Sequence, residues 1–285
     1  MAIDLTAPVT QPGNCHRIAF AVHDLPAAVR WFEDVLGAVM LPIPQQADGA
    51  VESEADGGQI AVMWLQSVPI VLLGSTQTDG VIGRYLAANG PSVQSLAWEI
   101  PDMWRTENLL RANGCKIVGV EIEGRHFFVH PKHTEGMLLE YTDDVLPGDP
   151  RRGNGVTPRQ GSVAVSSVVR VNTVVPDLDA AVAALRYTFD GVVSAAAESA
   201  VDGAVDGAVD VSIGDFVVRL TAVGGPLDAP QGSTRFHSVT LAVPDFAALP
   251  AQLAAAGIGV ASADDRSLWV EPATALGLRL QFVAS

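Results

Sequence analysis

Ile18-Ala19-Phe20-Ala21-Val22-His23-Asp24-Leu25 reads as a strand that runs directly into a helix. Apolar side chains recur at period two up to Val22, as a half-buried strand requires. An aspartate then stands where a helix start needs an oxygen to accept from its first amides. The helical stretch that follows closes on Gly37, a residue suited to the left-handed conformation that ends a helix. The phrase returns as Leu96-Ala97-Trp98-Glu99-Ile100-Pro101-Asp102-Met103 ending at Gly114, as Val171 to Leu178 ending at Gly191, and as Val239 to Phe246 ending at Gly257. Four copies at this fidelity mark an internal repeat.

Working outward from the phrase, each copy is followed by further strand-like runs. In the second copy these are Lys116–Val120, His126–Val129 and Met137–Tyr141. The repeating unit is therefore βαβββ. The second and fourth units also share an ending at identical spacing: Val129-His130-Pro131 with Gly136 and Glu140 matches Val270-Glu271-Pro272 with Gly277 and Gln281. Two tandem halves follow. Leu146 to Thr157 is rich in Pro and Gly and lacks periodicity, which marks a linker. The division expected is 1–145 (units 14–76 and 92–143), a linker over 146–163, and 164–285 (units 167–223 and 235–284). The Ala-Val-Asp-Gly run from Ala200 to Asp210 looks like a calcium repeat but offers too few converging oxygens, so a solvated hairpin tip is the expectation.

The whole composition agrees with a folded, water-facing protein. Of 285 residues, 48% are hydrophobic and 17% charged, enough apolar surface to offset chain entropy. Seventeen basic against 32 acidic side chains give a net charge of −15, which repels nucleic-acid backbones and anionic lipid. No apolar run reaches the roughly 18 residues of a membrane span, and the opening residues lack the features of a secretory signal. Cys15 and Cys115 are too few for a disulfide framework, so a cytoplasmic setting is expected, with both thiols as small buried hydrophobes. Neither nucleic acid nor membrane is an expected partner; a small molecule is, and homodimerisation is compatible with the sequence.

Four βαβββ units with strand phrases of this kind resemble the vicinal oxygen chelate superfamily, which includes glyoxalases, bleomycin resistance proteins, extradiol dioxygenases and methylmalonyl-CoA epimerases. The likeness runs from about residue 14 to the end. The resemblance implies an α+β fold: two tandem glyoxalase-like domains with curved mixed sheets around clefts. The first half looks most like methylmalonyl-CoA epimerase, through Phe128-Val129-His130-Pro131-Lys132, Gly136-Met137-Leu138-Leu139-Glu140 and the stretch Gly90 to Ile100.

In that family a cleft holds a divalent metal on ligands from the first and last strands of paired units. Here only Glu140 keeps a ligand type. Val71 takes the last-strand position of the first unit, Ser95 with Gln94 beside it takes the first-strand position of the second, and Arg17 that of the first. In the second half the positions are Arg170, Arg219, Ser238 and Gln281. His16 is displaced by one residue, onto the Ile18, Phe20 and Val22 face, unless a bulge resets the register. No metal or other cofactor is therefore expected; if a divalent ion did bind, Glu140 and His16 would be its ligands.

Glu140 is the expected catalytic residue. A carboxylate among Met137, Leu138, Leu139 and Tyr141 is desolvated, which suits general acid or base work unless a cation such as Arg17 holds it ionised. Arg17, Val71, Gln94, Ser95, His126, His130 and Lys132 are the expected substrate contacts. The basic run Arg125, His126, His130, Lys132 and His133 suits an anionic substrate, with His126, Phe128 and His130 on one side of the strand. The leading expectation is an isomerase, epimerase or lyase acting on a small oxygenated or acyl substrate. A metal-free binding or sequestration protein is the alternative, and an extradiol-type dioxygenase, which needs two His and a Glu in one cleft, the third. Serine hydrolase, NTPase and dehydrogenase motifs are missing.

Overall fold

The structure, a computed structural model, describes residues 8–42, 51–53, 57–119, 124–153, 155–195, 207–224, 227 and 235–285. Its first unit runs β1 (Cys15–Ala21), α1 (Leu25–Leu36), β2 (Val39–Met40), β3 (Val51–Ser53), β4 (Gly58–Leu65) and β5 (Val68–Ser75), with α2 (Val81–Asn89) leading out of it. The second contains β6 (Ser92–Glu99), α3 (Met103–Ala112), β7 (Ile117–Val118), β8 (His126–Val129) and β9 (Leu139–Thr142). The third contains β10 (Ser167–Val175), α4 (Leu178–Phe189), β11 (Val192–Ala195), β12 (Ala208–Ile213) and β13 (Phe216–Ala222). The fourth contains β14 (Arg235–Val243), α5 (Leu249–Ala255), β15 (Val260–Ala263), β16 (Ser267–Val270) and β17 (Leu280–Ala284).

One rule governs all four units: the first strand pairs parallel with the last, and the strands between join on antiparallel. Two mixed, open sheets result. Their orders are β2-β4-β5-β1-β6-β9-β8-β7, with β3 on β4, and β11-β12-β13-β10-β14-β17-β16-β15. The α+β plan of four βαβββ units is the one observed.

The repeated aspartate does the work its spacing implies. Asp24, Asp102 and Asp177 accept from the amides of Ala27, Arg105 and Ala180 at 2.8, 3.0 and 2.9 Å, each at a helix start. Asp245 accepts from Ala248 at 3.1 Å, but α5 begins only at Leu249, so the fourth aspartate caps a turn that feeds the helix. At the other end Gly37 takes the left-handed conformation, whereas in the third unit Asp190 takes it and Gly191 merely follows. α2 is an element that the repeat phrase does not announce: it buries only Leu86. The segment 196–206, with most of the Ala-Val-Asp-Gly run, lies outside the described residues; β11 and β12 on either side of it pair antiparallel.

Contacts gather the chain into two compact units. One comprises Met1–His16, Ser95–Asp144 and Arg170–His237; the other comprises Arg17–Gln94, Val145–Val169 and Ser238–Ser285. In the first of these, Phe127 stacks on Tyr141 at 4.9 Å, Tyr141 on Phe189 of α4 at 4.5 Å, and Trp98 lies 4.8 Å from Phe189. Trp98 also donates its indole N–H to the Ile213 carbonyl at 3.1 Å, satisfying the one polar atom that its burial would orphan.

In the other compact unit, α1 turns Leu25, Ala28, Phe32, Val35 and Leu36 inward, and Phe32 meets Phe20 of β1 at 5.4 Å. The expected linker is tied down here. Ser162 and Val163 donate to the carbonyls of Asp34 and Val35, and Gln66 donates to the carbonyl of Arg159 at 2.8 Å. A side chain at Gly161 would collide with the Val35 carbonyl, so the chain approaches the helix end as closely as it does only because residue 161 is glycine. The spacer between the halves is a packed strap.

Candidate functional site

Alternation sorts the second unit into two faces. Leu96, Trp98, Phe127, Val129, Leu139 and Tyr141 are all fully buried on one of them. The other carries Ser95 and Ala97 from β6, His126 and Phe128 from β8, and Glu140 and Thr142 from β9, in the register Ala97↔Glu140, Phe128↔Glu140 and His126↔Thr142. His126 is therefore the diagonal neighbour of Glu140 on a paired strand, within reach of a long side chain.

The two meet: His126 Nδ1 lies 2.8 Å from Glu140 Oε1. The Glu140 side chain is 2% exposed and that of His126 20%. Burying a carboxylate this deeply is costly unless it is hydrogen-bonded, and the imidazole supplies such a bond. Phe128 braces the ring edge-on, with centroids 5.0 Å apart and planes at 87°. A carboxylate that accepts from Nδ1–H fixes the tautomer, leaving the lone pair on Nε2 at the far side of the ring. Burial thus makes His126, and not Glu140, the accessible end of the pair.

Other expected site residues fall elsewhere. Ser95 is buried on the Glu140 face, while Gln94, one residue earlier, points to the opposite side and is half-buried. His130 accepts the Lys132 amide on Nδ1 and so caps the short helical turn 131–133; Lys132 itself is exposed. Arg125 spends its charge on Asp143 and Asp144, the latter at 2.7 Å. The expected basic run is thereby dispersed, with only Lys132 presenting an exposed cation that no described carboxylate is shown to engage. Burial and the neighbouring Lys132 and His130 push the His133 imidazole below its ordinary value.

In the first unit Val71 pairs with Ala19 and Val62 and packs with Leu41 and Trp64; Leu146 and Val156 from the strap cover this cluster. Val71 is 5% exposed within this floor. Arg151 lies over the Trp64 ring at 5.2 Å and pairs with buried Asp149 at 2.8 Å. Arg17 is half-buried on β1. His16 is 1% exposed, and β1 keeps an unshifted register against β5 from Ile18 to Ala21.

Comparison with known proteins bears on this arrangement. Residues 16–128 match the model of the glyoxalase/bleomycin resistance protein/dioxygenase superfamily. The chain carries a domain of that superfamily. An ethylmalonyl-CoA/methylmalonyl-CoA epimerase of Cereibacter sphaeroides is 26% identical over 136 residues, 45% of this chain and 96% of that protein. A methylmalonyl-CoA epimerase from Mycobacterium tuberculosis is 24% identical, with 48% of this chain and 89% of that one covered and a TM-score of 0.40. Over nearly the whole length, a mutant 4-hydroxymandelate synthase from Streptomyces coelicolor shares the fold: TM-score 0.64, 14% identity, 96% of this chain and 92% of that one.

The superfamily resemblance implies a divalent ion, and the donor chemistry here does not suit one. A catalytic divalent ion needs about three converging protein ligands. The corresponding positions are Arg17, Val71, Ser95 and Glu140, and among the described residues no group of three His, Cys, Asp or Glu comes together. In the fourth unit the Thr240 hydroxyl donates to Gln281 Oε1 at 2.9 Å, so the residue matching Glu140 is an amide engaged within its own sheet.

Proposed function

We propose that this protein moves a proton on a small acyl or oxygenated substrate without a metal, in isomerase, epimerase or lyase chemistry. His126 takes and returns the proton, and Glu140 positions its imidazole. The observation that carries this reading is the 2.8 Å contact between a buried carboxylate and a partly exposed imidazole. A fixed tautomer keeps the basic nitrogen away from Glu140, and the imidazolium formed on protonation is stabilised by the adjacent negative charge. An acyl-CoA thioester is the substrate class that the Cereibacter relative suggests, since a proton next to a thioester carbonyl is acidic enough for such a base.

The test is solvent deuterium incorporation into methylmalonyl-CoA, followed by mass spectrometry. Replacing His126 with Gln, or Glu140 with Gln, should each lower the exchange rate by about 100-fold or more in folded protein. Unchanged exchange in both variants sinks the catalytic reading. Dialysis against EDTA should alter neither exchange nor thermal stability.

A second reading, a metal-free binding protein of the same fold, draws support from the covered apolar floor around Val71 and Trp64. Saturable binding of the thioester with no exchange, insensitive to Glu140→Gln, favours it. A dioxygenase has less support, because the described face brings one histidine to one glutamate. Among the described residues no helix is long and apolar enough to cross a membrane. A cytoplasmic setting forms part of the proposal and is consistent with two cysteines outside any disulfide, Cys15 buried and Cys115 partly so.

A further inference from the structure

Phe128 shares the face that carries the His126–Glu140 pair. It lies opposite Glu140 on β9 and opposite Val118 on β7, and two residues along β8 from His126, which puts both rings on one side of the sheet. The contact through Nδ1 at 2.8 Å fixes one atom of the imidazole and leaves the ring free to swing about the line to Oε1. Nε2, at the far side of the ring, moves furthest in such a swing. The second constraint is the Phe128 ring, 5.0 Å away and at 87° to the imidazole, an edge-to-face geometry that gives the imidazole plane a preferred setting.

Phe128 is itself only partly buried, so its own setting needs a cause. That cause lies at the end of β7. The strand stops at Val118, and the next residue, Gly119, takes the left-handed conformation at φ +66°. A Cβ at 119 would lie 2.7 Å from Cδ2 and 3.2 Å from Cε2 of the Phe128 ring. One edge of the ring therefore occupies the space that any side chain at 119 would need. Even a residue that tolerates the backbone conformation would have to push the ring by roughly 0.7 Å to regain ordinary contact.

We infer that Gly119 is a positioning residue for the His126 imidazole: by leaving room for the Phe128 ring it sets the plane of the imidazole, and so the aim of Nε2. The inference rests on the reading of His126 as the proton carrier and extends it to a residue that acts only through Phe128. A displaced Phe128 ring releases the swing about the Nδ1 contact, and a misplacement of about 1 Å at the reacting atoms is enough to lower turnover by about 100-fold.

Gly119→Asn separates the two demands on residue 119, since asparagine accepts the left-handed backbone but brings a Cβ. Solvent deuterium exchange into methylmalonyl-CoA should lose about tenfold to 100-fold in kcat, with KM changed by less than about twofold. The imidazole nitrogen NMR signals of His126, assigned with His126→Gln, should pass from one Nδ1–H tautomer in the wild type to a mixture of both in Gly119→Asn, read in the neutral ring. Gly119→Ala, with the smallest side chain that carries a Cβ, should show the same signature and covers the case in which Gly119→Asn does not fold. In a Phe128→Ala background, where the ring is gone, Gly119→Asn should alter neither kcat nor the tautomer mixture further. A wild type without deuterium exchange ends the proton-transfer reading, while the tautomer spectra still decide the positioning of His126. An unchanged single tautomer in both folded Gly119 variants overturns the inference, and so does a Gly119→Asn effect as large without the Phe128 ring as with it.

Discussion

Val71 and Glu140 lie on the last strands of the first two units, each opposite an alanine of the first strand, Ala19 and Ala97. Their surroundings decide what each can do. Glu140 keeps an imidazole at 2.8 Å that opens toward solvent. Val71 lies in an apolar floor whose largest member is Trp64, 2% exposed, and over that ring sits the Arg151 guanidinium. Trp64 thus both fills the floor and anchors the strap through a cation–π contact. Replacing Trp64 with Ala should cost about 3–5 kcal/mol in urea denaturation, because a large buried ring leaves a cavity. It should also expose the Arg151–Arg152 bonds to trypsin under native conditions. Wild-type resistance to trypsin at this point in the variant would show that the strap is held elsewhere.

At the scale of elements, what the sequence made legible is what short-range chemistry controls. Strands came from alternation and helix starts from an aspartate at constant offset, and both are properties of a few neighbouring residues. α2 was illegible because Leu86 is its one buried residue, leaving no apolar stripe to read. The His126–Glu140 pair was illegible for another reason. It depends on the register between β8 and β9, which pairs Phe128 with Glu140, and no spacing along the chain states that register. Cross-strand geometry alone brings His126 to Glu140. The strap likewise read as a linker because its order derives from contacts with α1, not from any pattern of its own. Its closest approach is at Gly161, where a side chain would meet the Val35 carbonyl and the Gly37 amide. Gly161→Ala should therefore destabilise the protein by about 1–3 kcal/mol, the ordinary range for overpacking, although alanine is otherwise the better tolerated residue. A stability gain in urea denaturation, as expected for an open glycine site, would contradict the close approach.

At the scale of the molecule, the covalent repeat and the packing follow different groupings. Each sheet is drawn from one half of the sequence, whereas the compact unit holding the candidate site joins the second βαβββ unit to the third. Its aromatic stack shows what this means energetically: Phe127 and Tyr141 of the first half continue into Phe189 of the second, and the Trp98 indole N–H ends on the Ile213 carbonyl. A fragment of residues 1–150 would keep its sheet but lose Phe189 and Ile213. The faces of Trp98 and Tyr141, fully buried in the whole chain, would then meet water, and the indole would lose its acceptor. The fragment should consequently bind a hydrophobic dye and unfold without a cooperative transition, or cover the bared face by self-association detectable in sedimentation. Adding residues 151–285 in trans should restore a single cooperative transition and quench the dye signal. A monomeric 1–150 fragment that unfolds cooperatively and binds no dye would mean that the first half is sufficient on its own, and that the shared aromatic stack contributes little to holding Glu140 and His126 in place.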